Sequence, residues 1–241
     1  MIRKAGQGTV NSSRKPARRR AWIVATVLLV VAAAGFGWLE SRRWEPDRTR
    51  FPVQGTWLDV HDGAVDWSML KAHGADFVYL TASEGTGRRD AAFTPALERA
   101  RRAGLQVGAV HVYDLCAPAD AQAADYVTLV PREEALLPPA VALDLDSRSC
   151  PQPPGEAAMQ SELTTFLNQI EKHTERPAIL MLSRSFEGHY HLARRIDRNL
   201  WLAGDFLEPG YAGRPWVMWT ATTRLRLAGL AGPVRWVAVH R

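Results

Sequence analysis

The sequence predicts an α/β fold: a TIM-like β/α barrel whose last three strands are poor in helices, preceded by one N-terminal transmembrane helix. Three observations carry that expectation. An uncharged apolar run lies near the N-terminus, five apolar strand patterns beyond it alternate with helical ones, and three further strand patterns come after them with only short or Gly/Pro-rich connections.

Residues 22–39 read WIVATVLLVVAAAGFGWL without a charge. As a helix this stretch would rise about 27 Å, enough to cross a hydrocarbon core. Trp22 and Trp38 stand at its ends, where indoles favour the headgroup region. Arg3, Lys4, Arg14, Lys15, Arg18, Arg19 and Arg20 precede it with no acid among them. By the positive-inside rule residues 1–21 stay in the cytoplasm, residues 22–39 anchor the chain, and the remainder of the chain is exported. A cleaved signal peptide is the alternative, because Ala32, Ala33 and Ala34 place small residues near the end of the apolar run. Residues 40–52 are charged and proline-bounded and are expected to form a stalk to a domain over 53–241.

This division also accounts for the charge. The chain has 30 Lys+Arg against 25 Asp+Glu, a net +5. Residues 1–50 hold 11 of the cations and three acids, leaving 19 against 22 in residues 51–241. The excess belongs to the membrane-flanking segment, so no nucleic-acid partner is expected for the mildly acidic domain. A hydrophobic content of 46% excludes disorder, and two cysteines exclude a disulfide-rich miniprotein or a zinc module. In an oxidising compartment Cys116 and Cys150 can pair, closing a loop worth about 4 kcal/mol by chain entropy; two separate thiols are the alternative.

In the domain, strands are expected near 53–59, 76–82, 106–113, 140–146 and 178–182, each followed by a helical pattern (66–73, 91–103, 119–130, 156–174, 185–195). Strands separated by helices of this length pair in parallel through right-handed crossovers. Three more strands are expected at 199–203, 215–221 and 234–239. Eight strands with trimmed final helices explain how about 190 residues suffice for a barrel that usually needs about 250. An open doubly wound sheet is the alternative, though no glycine-rich phosphate loop follows the first strand.

Barrel chemistry gathers at the C-terminal strand ends. Those ends supply Asp59, Glu84, His111 and Tyr113, Asp144 and Asp146, Ser183 and Trp219. Period-two alternation puts Asp144 and Asp146 on one face of their strand, and His111 and Tyr113 on one face of theirs. Two close carboxylates separate into one proton donor and one anion at neutral pH, the pairing that glycoside hydrolysis uses. A capping or ion-pairing Asp is the ordinary alternative, and Asp-x-Asp beside a His and a Glu can also hold a divalent cation. Taken alone, Glu84 reads as a loop carboxylate and His111 as a satisfied core histidine. Trp201, Trp216, Trp219 and Trp236 suit either a core or a sugar-stacking face.

The order of motifs resembles glycoside hydrolase family 25, the muramidases that cut bacterial peptidoglycan. Its opening strand and Asp-Trp resemble Gly55 to Gly63 with Val65-Asp66-Trp67. Its second strand, ending Ala-Thr-Glu-Gly, resembles Phe77 to Gly85. Ala103-Gly104-Leu105, Val107 to His111, Gln122-Ala123 with Asp125-Tyr126, the carboxylate strand, Leu200 to Ala203 and Trp216 to Thr220 continue the order over about residues 53–241. The resemblance implies a β/α barrel and a peptidoglycan or related N-acetylated glycan substrate. It implies no cofactor and no metal. The family's Asp-x-Glu falls on Asp144 and Asp146, which implies Asp146 as general acid and Asp144 as partner to attack by the substrate's own N-acetyl group, with retention. Asp59, Glu84, His111, Tyr113 and Trp219 would then contact substrate. The implied address is single-pass in the bacterial inner membrane, with a cytoplasmic N-terminus and a periplasmic barrel. Three departures stand out: Asp146 for the family's Glu; Trp57 and Asp59 at the family's Asp and Ser; and Arg235 where the family usually has another acid.

Overall fold

In the computed structural model, residues 15–59, 62–145 and 150–240 are described, and they fall into two units meeting at Ser41 and Arg42. The first holds α1 (Lys15–Ser41), whose span Trp22–Ser41 is long and apolar enough to cross a membrane. A helix apolar all round has no water-facing stripe of its own.

The second unit is the barrel. Its parallel strands are β1 (Gln54–Leu58), β2 (Phe77–Glu84), β4 (Gln106–Val112), β5 (Ala140–Leu143), β6 (Ile179–Leu182), β7 (Asn199–Ala203) and β8 (Met218–Arg226). β9 (Pro233–Val239) closes the ring antiparallel to both β8 and β1, and the two-residue β3 (Arg88–Arg89) folds back on the end of β2. The crossovers carry α2 (Trp67–His73), α3 (Phe93–Arg102), α4 (Ala119–Leu129), α5 (Glu156–Thr174) and α6 (Arg184–Tyr190), the last followed by a short 3-10 turn at Leu192–Arg194. All eight expected strands and the five crossover helices are present in the expected order. The antiparallel closure follows from the short link between β8 and β9, which leaves no room for a helical crossover.

Alternation along the strands splits the core into two layers. Phe77, Tyr79, Val110, Ala140, Ala142, Ile179, Met181, Trp201, Met218 and Val237 fill the lumen. Their sequence neighbours, among them Val78, Leu80, Ala109, Val141, Leu143, Leu180 and Leu200, face the helices instead. Gly108 serves the lumen: a Cβ there would lie 2.3 Å from the Tyr79 ring, so only glycine admits that side chain. Tyr79 and Trp201 then meet edge to face at 5.1 Å.

Part of the outer face of β8 and β9 is covered by the segment expected as a stalk. Phe51 is buried there against Trp219 at 5.7 Å, and Trp44 meets Trp219 at 6.2 Å. Gln54, wholly buried, ties the segment down by donating to the carbonyls of Pro46 and Phe51. Residues 42–52 thus take part in packing the barrel wall.

Candidate active site

Carrying the lumen alternation to the C-terminal strand ends identifies what reaches the mouth. Beyond Ala140 and Ala142 the next lumen-facing position is Asp144, which is exposed. Its Oδ1 accepts from the Ser185 hydroxyl at 3.0 Å and from the Leu145 backbone N–H at 2.8 Å. Ser185 is itself oriented by Ser183 at 2.9 Å, and Ser183 caps α6. Tyr211 secures the adjoining strand ends, its hydroxyl donating to the Leu182 carbonyl and accepting from the Ala203 N–H. Asp144 is therefore an ionisable group on a firm base, open to solvent. Asp146 lies outside the described residues.

Across the mouth the charges are arranged differently. Arg235, lumen-facing at the start of β9, lies 4.0 Å over the Trp57 ring, and its Nε donates to the Trp57 carbonyl at 3.1 Å. Its Nη2 reaches Asp59 at 2.9 Å and Asp62 at 2.7 Å. Asp62 also accepts from the Asp59 backbone N–H at 2.7 Å, so the guanidinium and two carboxylates form a closed group. The Trp57 indole donates to Thr81 at 2.9 Å. Asp59 is thus at the mouth, with a carboxylate oxygen held by Arg235.

A cavity of about 400 Å3 opens between these residues and the end of β2, bordered by Trp57, Asp59, Thr81, Glu84, Arg88 and Arg235 among others. Glu84 is half-exposed on its rim and pairs with Arg88 at 2.9 Å. The β2–β3 turn that places Arg88 begins at Gly85, whose positive φ of 50° suits glycine. Arg88 and Arg235 are site residues that sequence reasoning did not assign. For Arg235 the signal was its place at a family acid; for Arg88 there was only its four-residue spacing from Glu84.

Three expected substrate contacts are corrected by the structure. His111 and Tyr113 do share a face, but it is the helix-facing one. His111 is wholly buried: its Nε2 donates to Gln122 at 3.0 Å and its Nδ1 accepts from Ser83 at 2.8 Å, with Phe166 packed 4.7 Å away. Burial lowers its pKa to about 4, so the imidazole is neutral. Tyr113 packs on Phe166 at 5.3 Å, and burial raises its pKa. Trp219 alternates with lumen-facing Met218 and lies behind the wall with Phe51 and Trp44. None of the three reaches the mouth.

Cys116 and Cys150 form a disulfide that ties the segment after β4 to the chain just beyond β5. Among the described residues no group of three His, Cys, Asp or Glu is placed to hold a metal ion.

Comparison with known proteins agrees with this architecture. The family model described as Glycosyl hydrolases family 25 matches residues 58–230. A family 25 glycosyl hydrolase from Bacillus anthracis shares the fold at a TM-score of 0.72 and 23% identity, covering 83% of this chain and 92% of its own. The bacterial lysozyme from Streptomyces coelicolor gives 0.68 and 23%, covering 77% and 90%. Lysozyme M1 from Streptomyces globisporus is 35% identical over 74 residues, which is 31% of this chain and only 25% of that relative.

Proposed function

The chain belongs to glycosyl hydrolases family 25, a family of lysozyme-like peptidoglycan hydrolases, and from that premise we propose a membrane-anchored, exported muramidase-type enzyme that cleaves the glycan strands of peptidoglycan. Residues 1–21 form its cytoplasmic end, 22–39 its anchor in the bacterial inner membrane, and the barrel works on the periplasmic side. The observation that carries the reading is Asp144, an exposed carboxylate at the C-terminal end of a barrel strand, held by a hydrogen bond from Ser185.

In this scheme Asp146 protonates the glycosidic oxygen. The substrate's N-acetyl oxygen attacks the anomeric carbon, and Asp144 stabilises the positive charge that develops on the amide. Water then opens the intermediate with net retention, and no protein nucleophile is needed. Asp146 is one methylene shorter than the Glu it replaces, a deficit of roughly 1.5 Å, where misplacement of about 1 Å can cost a hundredfold in rate.

A second reading has its own observation. Arg235 holds carboxylate oxygens of both Asp59 and Asp62, so that wall offers little free negative charge to a cationic transition state. This favours a barrel that binds cell-wall glycan without cutting it. Release of reducing ends from purified peptidoglycan separates the two. The enzyme reading expects release by the wild type, loss in Asp146→Asn and activity retained or raised in Asp146→Glu. A wild type that sediments with the glycan and releases nothing leaves only the binder. For topology, a C-terminal reporter that functions only in the cytoplasm is expected to stay silent, and a signal from it contradicts export.

A further inference from the structure

The mouth-side end of the barrel wall at β7 and β8 carries a surface that the site does not use. The last residues of β8 run beyond its pairing with β7, which ends at Thr220, and there Leu225 and Arg226 pair with Val234 and Pro233 of β9. The Arg226 backbone N–H donates to the Arg42 carbonyl at 2.9 Å. Arg42 is the residue that follows the apolar span Trp22–Ser41 in sequence. Chain connectivity therefore ties the C-terminal end of β8, at the mouth side of the barrel, to the level where such a span meets the headgroups. Arg235 lies two residues along β9 from Pro233, so strand rise and strand spacing put Arg42 within about 12 Å of the mouth.

The residues at this rim suit a headgroup layer. Arg43 and Arg226 are exposed and have no carboxylate partner among the described residues. Arg224 pairs with Asp205 at 3.1 Å and lies 5.4 Å over the Phe206 ring. Phe206 in turn packs on Trp44 at 5.2 Å, with a φ of 66° that is uncommon for a bulky side chain. The next residue, Leu207, is 78% exposed; outside α1, Met69 at 43% is the other exposed large apolar side chain among the described residues. The acids on either side of Leu207 are both neutralised, Asp205 by Arg224 and Glu208 by Arg50. An apolar tip accompanied by Arg and Trp is the composition of an interfacial contact, in which cations meet lipid phosphates and the Leu enters the acyl boundary.

We propose that this rim is a membrane-docking surface: Leu207 enters the boundary of an anionic phospholipid bilayer, Arg43 and Arg226 meet lipid phosphates, and the barrel mouth is held at the bilayer. The inference rests on the anchored, exported reading above. It adds a fixed address for the mouth, in place of a domain that swings freely at the end of its anchor.

The test uses the full-length protein reconstituted into phosphatidylcholine liposomes with or without phosphatidylglycerol. An environment-sensitive fluorophore is attached at Leu207→Cys, or at Lys172→Cys in the last turn of α5, the opposite end of the barrel. Cys116 and Cys150 are bonded to each other and do not take the label. The probe at position 207 is expected to shift to the blue when phosphatidylglycerol is present, and the probe at position 172 to report water in both bilayers. Arg43→Ala and Arg226→Ala are each expected to lower the ratio of docked to undocked protein about fivefold, the worth of one cation at an anionic surface. Arg226→Lys is expected to keep it. Both arginine side chains are exposed, so these variants leave the core intact. A probe at 207 that stays in water, in protein that floats with the anionic liposomes, overturns the docking while the anchor stands. An equal shift at both probes, or a shift at 207 that the alanine variants leave unchanged, overturns it as well. Protein that floats with neither kind of liposome overturns the anchor and the docking together.

Discussion

The mouth of the barrel and the layer behind its wall hold the same kinds of polar residue under opposite conditions. Behind the wall His111 is wholly buried, neutral, and bonded through both ring nitrogens, and Trp219 is packed among aromatics. At the mouth Asp144 is exposed and Arg235 stays partly open to the cavity. One residue of strand phase separates the two conditions, since adjacent side chains point to opposite faces. A polar residue on a core strand is thus structural or functional according to which layer its phase selects. Variants at the mouth should change activity and spare stability, and variants behind the wall should do the reverse.

The largest effect is expected at Asp144. Asp144→Asn keeps the hydrogen bond from Ser185 and removes the charge, and the rate of reducing-end release should fall by about 10²- to 10⁴-fold, the range for a lost acid-base or charge-stabilising group. Next comes Trp219→Ala, which empties the outer face of β8 and should cost about 3–5 kcal/mol in chemical denaturation, with substrate affinity unaltered in the folded fraction.

His111 gives a pH signature. Its folded pKa of about 4 lies below the unfolded value near 6.5, so between these the unfolded state binds the extra proton. Stability is full above pH 6.5 and should decline by up to about 3 kcal/mol as pH falls through 6.5 to about 4. His111→Asn should lose this dependence; an unchanged profile assigns it to other groups. The smallest effect tests the mixed case. Arg235→Met strands two carboxylates that are each about one-fifth exposed. It should cost about 2 kcal/mol, below the loss for a fully buried pair. Adding Asp59→Asn should recover part of that, which a denaturation double-mutant cycle measures.

Much of this architecture was legible because barrel strands and crossover helices carry contrasting periods, and every strand from β1 to β9 except the two-residue β3 left a pattern. The phase was not legible. Strands buried on both faces show no apolar-polar alternation, so pairing His111 with Tyr113 on one face could not say which face it was. Ala140 and Ala142 in the lumen, beneath Asp144, became informative only once the ring closed. The segment 42–52 looked like a stalk from its charges and prolines, while its packing resides in Trp44 and Phe51. Arg235 was visible as a departure from the family pattern. Its partner Asp62 was not, because the contact spans 173 residues and starts in a loop.

The division between mouth and inner layer is tested most directly by measuring reducing-end release and denaturation midpoint on the same preparations of Asp144→Asn and Trp219→Ala. The expected result is a crossed pattern: Asp144→Asn loses at least a hundredfold in rate at an unchanged midpoint, and Trp219→Ala loses midpoint while its folded fraction cleaves at the wild-type rate. Asp144→Asn cleaving at the wild-type rate, or both variants losing rate and midpoint together, would contradict the account.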